Sequence, residues 1–295
     1  MNTLRFTKMH GLGNDFVVLD GVRQQIALAP AQIRQLADRH FGIGFDQLLL
    51  LEAPRRPEAQ FAYRIFNADG GEVAQCGNGA RCAAVFLREQ GLVREDVITV
   101  DTAAGLLRLT LEPRGVRVNM GVPAFAPAEV PFLAEHYAPR QHLALAGREI
   151  SFAAIGLGNP HAVLEVADVA AAPVAELGPQ LERHPRFPAR VNVSFMQILD
   201  DRHIHLRVFE RGAGETLACG SGACAAVIAG RLWGRLAPEV EVALPGGSLT
   251  VIWEGTAADD RAPVWLIGPA TTVFTGEVGL PIPTAAAPSR TTTTT

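Results

Sequence analysis

Residues 72–86 read EVAQCGNGARCAAVF and residues 215–229 read ETLACGSGACAAVIA, so one pattern occurs twice, with Cys76 and Cys219 143 residues apart. A glutamate stands four residues before each cysteine, and a Gly-X-Gly step leads from each into an alanine-rich helical stretch. The likeness extends outward from both cysteines. GLGNDFVVL at 11–19 returns as GLGNPHAVL at 156–164, an offset of 145, and RIFN at 64–67 returns as RVFE at 207–210, an offset of 143. Between these anchors Gln47 and Asn192 are 145 apart, each leading into an apolar, strand-like run. Matches at nearly constant offset make the chain a tandem duplication, with a period far too long for a solenoid repeat. Two homologous halves pack most simply about a pseudo-two-fold axis, which brings Cys76 and Cys219 to one cleft from opposite sides. Inversion at a single carbon requires that geometry.

At 295 residues the chain has room for about two domains of ordinary size. Each half reads as mixed α and β. β-branched alternation marks FVVLD, VITVDT, LRLTLE and VRVNM, then HIHLRVF, VEVAL and SLTVIW, while helical patterns cover PAQIRQLADRHF and the segments after each cysteine pair. Turn formers put boundaries near 115–123 and 255–263. The closing AAAPSRTTTTT is low-complexity and expected to be disordered.

A net charge of -4 and a pI near 6.1 give no electrostatic footprint for nucleic acid or an anionic membrane, so small-molecule chemistry is the expectation. No uncharged apolar run approaches the roughly 18 residues of a membrane span, and MNTLRFTKMHGLGND lacks the apolar core of a secretory signal. A cytoplasmic protein is expected. Four cysteines are too few for a secreted disulfide framework and point instead to metal or catalysis.

A thiolate at the head of a helix gains from the helix dipole and from free backbone N–H groups, which lower a thiol pKa from about 8.5 toward neutrality. The same N–H groups, at Gly77, Asn78, Gly220 and Ser221, make a candidate carboxylate cradle. A zinc site fits poorly, because C-x5-C and C-x4-C with a Gly-X-Gly insert depart from the usual ligand spacing. Neither glycine turn follows the Walker or dinucleotide spacing for phosphate. Cys82 and Cys224, on the following helices, read as buried core thiols. Asn14, Gln47, Asn67, Asn78, Asn159 and Asn192 each read singly as turn or cap residues, but their register with the cysteines makes them candidate site amides. Glu210 and Arg211 form either a surface salt bridge or a pair of substrate contacts, the guanidinium suited to bidentate carboxylate binding. His161, inside the GLGNPH anchor, is either a packed histidine or a member of the site.

NADGGEVAQCGNGARC (67–82), ERGAGETLACGSGACAA (210–226), KMHGLGNDF (8–16) and GLGNPH (156–161) resemble the signature segments of the diaminopimelate epimerase family, in the family's order across residues 8 to about 274. The resemblance implies an α+β fold of two similar domains, each a mixed β-sheet curled around a central helix, with the site between them. Residues 1–119 would form the first half, 265–280 would return to it around VWLIGPATTVF, 120–264 would form the second half, and 281–295 would be a disordered tail. The implied reaction converts LL-2,6-diaminoheptanedioate to the meso form, on the route to lysine and peptidoglycan, with neither pyridoxal phosphate nor metal. Carried over by motif position, Cys76 and Cys219 are the acid/base pair, supported by His161 and Glu210. The reacting carboxylate would meet the backbone of Gly77, Asn78, Gly220 and Ser221, and its amine would meet Asn14, Gln47 and Glu210. Asn67, Asn159, Asn192 and Arg211 would read the distal amino-acid group, and a homodimer is implied. A proline-type racemase is the nearest alternative, but its substrate leaves Arg211 and the amide cluster without a partner. Two retained cysteines argue against a non-catalytic amino-acid-binding protein.

Overall fold

The structure is a computed structural model that describes residues 2–73, 76–145, 147–256 and 261–280; the threonine-rich tail lies outside the described residues. The first copy of the repeat runs β1 (Asn2–Gly11), β2 (Asn14–Asp20), α1 (Pro30–Ala37), β3 (Gln47–Glu52), β4 (Phe61–Asn67), β5 (Glu72–Val73), α2 (Gly77–Glu89), β6 (Val97–Thr102), β7 (Gly105–Glu112) and β8 (Gly115–Asn119). After β9 (Gln141–Leu145), the second copy repeats this order. It comprises β10 (Arg148–Gly156), β11 (Pro160–Glu165), α3 (Val174–Glu182), β12 (Asn192–Ile198), β13 (His203–Glu210), β14 (Gly214–Thr216), α4 (Gly220–Leu232), β15 (Glu239–Leu244), β16 (Gly247–Ile252) and β17 (Trp265–Gly268). The last strand is β18 (Thr271–Leu280).

Strand pairing repeats as well. β2–β3 and β4–β6 are parallel, as are β11–β12 and β13–β15, and the remaining ladders are antiparallel. Each half gains one strand from outside its own repeat, β18 on β1 and β9 on β10. β17 bonds on one side to β16 and on the other to β8, joining the halves.

Period-two burial explains why the strands read as nearly unbroken apolar runs: both faces of each sheet are covered. Phe16 and Val18 of β2 cluster with α2, whereas Val17 and Leu19 cluster with Ile33 and Leu36 of α1. In the second half Val163 and Met196 cluster with α4, whereas Leu164 and Phe195 cluster with Leu177 and Leu181 of α3. The two central helices are rich in alanine, glycine and cysteine because strands surround them closely, and nearly every residue of α4 is buried. The glutamates that precede each cysteine by four now have a role. Glu72 takes both ends of the Arg64 guanidinium at 2.7 and 2.8 Å, and Glu215 takes Arg207 at 2.6 and 3.0 Å. These half-exposed braces across β4–β5 and β13–β14 contribute about 0–1 kcal/mol each. Their main effect is to fix where the chain turns toward the cysteine.

Two local expectations are corrected, and one helix, α3, is not marked in the sequence. The helix expected over 30–41 stops at Ala37, because the Asp38 carboxylate accepts from the backbone N–H groups of His40 and Phe41 and substitutes a turn for helix. α3 lies in a stretch whose Gly178-Pro179 reads as a turn. The glycine is there because the Phe209 ring lies against its Cα, where an added Cβ would approach to 2.6 Å. The single closing strand expected around VWLIGPATTVF is two strands, parted at Pro269. Among the described residues, no helix is long and apolar enough to cross a membrane.

Candidate active site

Cys76 and Cys219 occupy the N-cap positions of α2 and α4, with extended backbones (φ −149°, ψ 114° and φ −123°, ψ 109°). Each sulfur stands where a serine or aspartate oxygen usually caps a helix. The Gly79 N–H points at Cys76 Sγ from 3.5 Å, and the Gly222 N–H at Cys219 Sγ from 3.4 Å. Glycine permits that approach: a Cβ on Gly222 would lie 3.2 Å from the Cys219 sulfur and 3.1 Å from Val208.

Amides line both thiols in matched positions. Asn78 Nδ2 donates to Asn14 Oδ1 at 3.2 Å, and Asn14 Oδ1 faces Cys76 Sγ at 4.0 Å. In the second half Asn159 Nδ2 donates to Ser221 Oγ at 3.4 Å, and Ser221 Oγ lies 3.7 Å from Cys219 Sγ. The halves meet here, because Asn78 Nδ2 also reaches Ala218 O, next to Cys219, at 3.4 Å. The match breaks one residue pair along the sheet. Phe16 pairs in register with Gln47, whereas His161 pairs with Asn192.

The expected drop of the thiol pKa values toward neutrality is corrected. Burial pushes the Cys76 thiol up, and the charge of Glu210 adds to this against the opposing Gly79 and Asn78 N–H groups and the Arg81 guanidinium. Burial pushes Cys219 well up, reinforced by Glu210 and opposed by the Gly222 N–H and the Ser221 hydroxyl. Two halves closing over the sulfurs remove more hydration than two helix termini restore. Cys219 is 4% exposed and Cys76 is more open. Cys82 and Cys224 are core thiols pushed up to about 12 by burial.

Glu210 lies beside Cys219: its carboxylate accepts from the Thr216 hydroxyl at 2.5 Å, and burial, with some help from Asp46, raises its pKa. Gln47 Nε2 donates to Asn67 Oδ1 at 2.8 Å, which leaves Gln47 Oε1 buried without a partner. Asn192 uses its amide on the main chain, accepting from Arg211 N at 2.9 Å and donating to Pro160 O at 3.0 Å. Arg211 itself is exposed, and its guanidinium donates to Ala189 O at 3.0 Å rather than to a carboxylate, so the surface salt bridge weighed for it does not form.

Four contributors were not singled out from sequence. Asp46 holds the Asn14 amide by Oδ2 at 2.9 Å, Thr216 holds Glu210, Glu182 accepts from Gly212 N at 2.8 Å and so braces the turn carrying Arg211, and Arg81 donates to Asn78 Oδ1 at 3.0 Å. Thr216 and Arg81 lie inside the quoted motifs, and Asp46 adjoins Gln47. Glu182 carried no local signal. Among the described residues, no group of three or more His, Cys, Asp or Glu is placed to hold a metal ion.

His161 is fully buried, with Nε2 2.8 Å from Asn159 Oδ1, and burial together with the Arg211 charge depresses its pKa to about 3. It is therefore neutral at working pH and orients Asn159. Folded His161 stays neutral while an unfolded imidazole binds a proton below about pH 6.5, so its contribution is present above that pH and is lost as pH falls toward about 3. The upper limit is about 4–5 kcal/mol. His161→Phe, which copies Phe16, is expected to flatten the fall of the urea midpoint between about pH 7 and about pH 4. An unchanged slope would contradict this assignment.

The fold is duplicated, with one thiol at the head of each central helix. It superposes on a hydroxyproline epimerase from Agrobacterium vitis solved with bound trans-4-OH-L-proline, at TM-score 0.69 and 18% identity over 94% of this chain and 93% of that one. A probable proline racemase from Agrobacterium radiobacter gives TM-score 0.68 and 21% identity over the same shares. At these identities the likeness is one of fold. Curated diaminopimelate epimerases of Nitrosomonas europaea and Aromatoleum aromaticum are 55% and 57% identical, over 94% of this chain and 99% of each relative. The diaminopimelate epimerase family model matches residues 6–126 and 153–273, once in each half. The chain belongs to the diaminopimelate epimerase family and is an isomerase.

Proposed function

We propose that this diaminopimelate epimerase inverts one α-carbon of LL-2,6-diaminoheptanedioate to the meso form with two bases, Cys76 and Cys219, and no cofactor. The observation that carries the mechanism is the pair of sulfurs capping α2 and α4, one from each half, with Glu210 raising both. The α-carboxylate lies against the N–H groups of Gly77, Asn78, Gly220 and Ser221, where two helix N-termini favour an anion. The α-ammonium takes Glu210, the open Oε1 of Gln47 and Asn14. Pairing Glu210 with a cation cancels the charge that raises both thiols, so substrate binding itself favours thiolate. One thiolate then removes the α-proton, the electron pair passes into the carboxylate as an enediolate, and the opposite thiol gives its proton to the other face. The α-proton is far less acidic than a thiol, so the preorganised N–H groups must supply much of the difference.

At the distal end Arg211 meets the second carboxylate, with Asn67 and Asn159 beside it, while Asn192 acts chiefly by fixing the Arg211 backbone. Four free cysteines support a reducing, cytoplasmic setting. A homodimer follows from the resemblance; sedimentation at the 31.4 kDa mass of one chain would contradict it. The test of the function is direct: reduced, exhaustively chelated protein is expected to convert the LL isomer to meso. Turnover that needs added zinc or pyridoxal phosphate would overturn the reading.

A further inference from the structure

Arg81 is 0% exposed, yet among the described residues no carboxylate faces it. Its Nη2 donates to Asn78 Oδ1 at 3.0 Å and its Nε to Pro269 O at 3.1 Å, while Nη1 has no partner. A guanidinium remains charged in a protein, and a buried charge without a counter-charge is costly. The titratable groups it feels are thiols: Cys82 on its own helix, Cys76 at the head of that helix, and Cys224 on α4. Backbone packs tightly around it, since a Cβ added to Gly11 or Gly268 would come within 3.1 and 3.2 Å of its nitrogens.

The duplication shows what is unusual about this residue. Arg81 follows Cys76 by five positions, and Cys224 follows Cys219 by five, so one half carries a buried cation where the other carries a neutral thiol. Cys219 has instead the carboxylate of Glu210 within hydrogen-bonding range. Arg81 also reaches the site through contact: it holds the oxygen of Asn78, which turns the Asn78 NH2 toward Asn14 beside Cys76 and toward Ala218 beside Cys219.

We propose that Arg81 is a positioning residue that directs the negative charge of the thiol pair to Cys76 when one of the two protons is lost, leaving the other proton on Cys219. The two catalytic sulfurs are then equivalent in backbone but not in charge. The singly deprotonated pair is poised for the stereoisomer whose α-proton faces Cys76, and the opposite direction requires the proton to move first. The groups facing Cys76 are Glu210 from β13, Tyr63 from β4, and Cys82 and Arg81 from α2; Arg81 is the one cation among them.

This inference rests on the two-thiol reading but is tested without substrate. The intact, reduced chain is alkylated with iodoacetamide from about pH 5 to about pH 10, and labelling of Cys76 and Cys219 is followed separately by mass spectrometry. In the unsubstituted protein the Cys76 inflection is expected below that of Cys219. Arg81→Met should raise the Cys76 inflection by about one pH unit, slowing its labelling roughly tenfold near neutrality, with a smaller change at Cys219. Arg81→Lys should restore most of the difference. Because Met removes an unpaired buried charge, its melting temperature should not fall. A Cys219 inflection at or below that of Cys76, an Arg81→Met protein with an unmoved Cys76 profile, or equal shifts at both sulfurs with a lower melting temperature would each overturn the assignment. Should Arg81→Met fail to fold, the unsubstituted profiles and Arg81→Lys still decide. Alkylation of either cysteine without loss of inversion would instead sink the two-thiol reading.

Discussion

Cys219→Ala is expected to lower kcat for inversion by a factor on the order of 10²–10⁴, the usual contribution of one positioned acid or base. Cys219 is the N-cap of α4, and alanine removes the capping sulfur while leaving the helix, its buried alanines and the Glu210–Thr216 contact in place. Loss of a cap costs about 1 kcal/mol, too little to unfold a domain of this size. The deficit should therefore appear as lost chemistry in a folded protein. Cys76 still has its Gly79 N–H contact and remains able to exchange the α-proton on its own face. Inversion and exchange should thus separate: slow conversion of LL to meso, with wash-out of the α-proton surviving in the isomer that presents it to Cys76. A variant within about tenfold of the parent rate would remove Cys219 from the mechanism.

Arg211→Ala is the second large effect, and it should fall on recognition. The guanidinium is exposed and tied only loosely, through Ala189 O, so it is free to turn onto a distal carboxylate, and the Asn192 contact that fixes its backbone survives truncation. A charge-assisted hydrogen bond to a carboxylate is worth about 1.5–3 kcal/mol, so kcat/KM for diaminopimelate should fall roughly 10- to 150-fold. An analogue without the distal carboxylate should lose little. Steady-state kinetics on the two substrates read the difference directly, and equal losses on both would place Arg211 outside the recognition site.

Much of this site was legible because the duplication supplies an internal comparison. Cys76 with Cys219, Asn14 with Asn159 and Gln47 with Asn192 stand out as matched pairs, and in the structure they stand at the start of β2 and just before β11, at the starts of β3 and β12, and at the heads of α2 and α4. What the sequence hid depends on closure. A helix N-terminus read alone argues for an acidic thiol, but the desolvation that reverses this comes from strands distant in sequence, and from Glu210, whose carboxylate faces both sulfurs only once β13 is in place. Arg211 reads as a salt-bridge partner of Glu210 or a substrate contact, and the structure puts it in solvent on a turn braced by Glu182, with no described carboxylate on its guanidinium. Arg81 sat in plain view inside the motif, but its isolation from every described carboxylate is a property of packing. α3 was concealed because the Gly178 that Phe209 demands is also a turn former.

The two-base mechanism is tested most directly by inversion in heavy water, sampled at early conversion. With one thiolate removing the α-proton and the other thiol delivering a solvent-derived deuteron to the opposite face, the meso product should carry deuterium at the inverted carbon while recovered LL substrate remains protiated. Deuterium in the recovered LL isomer at a level matching that in the product would mean a single base returning its proton to either face, and would contradict the account even if both cysteines proved essential.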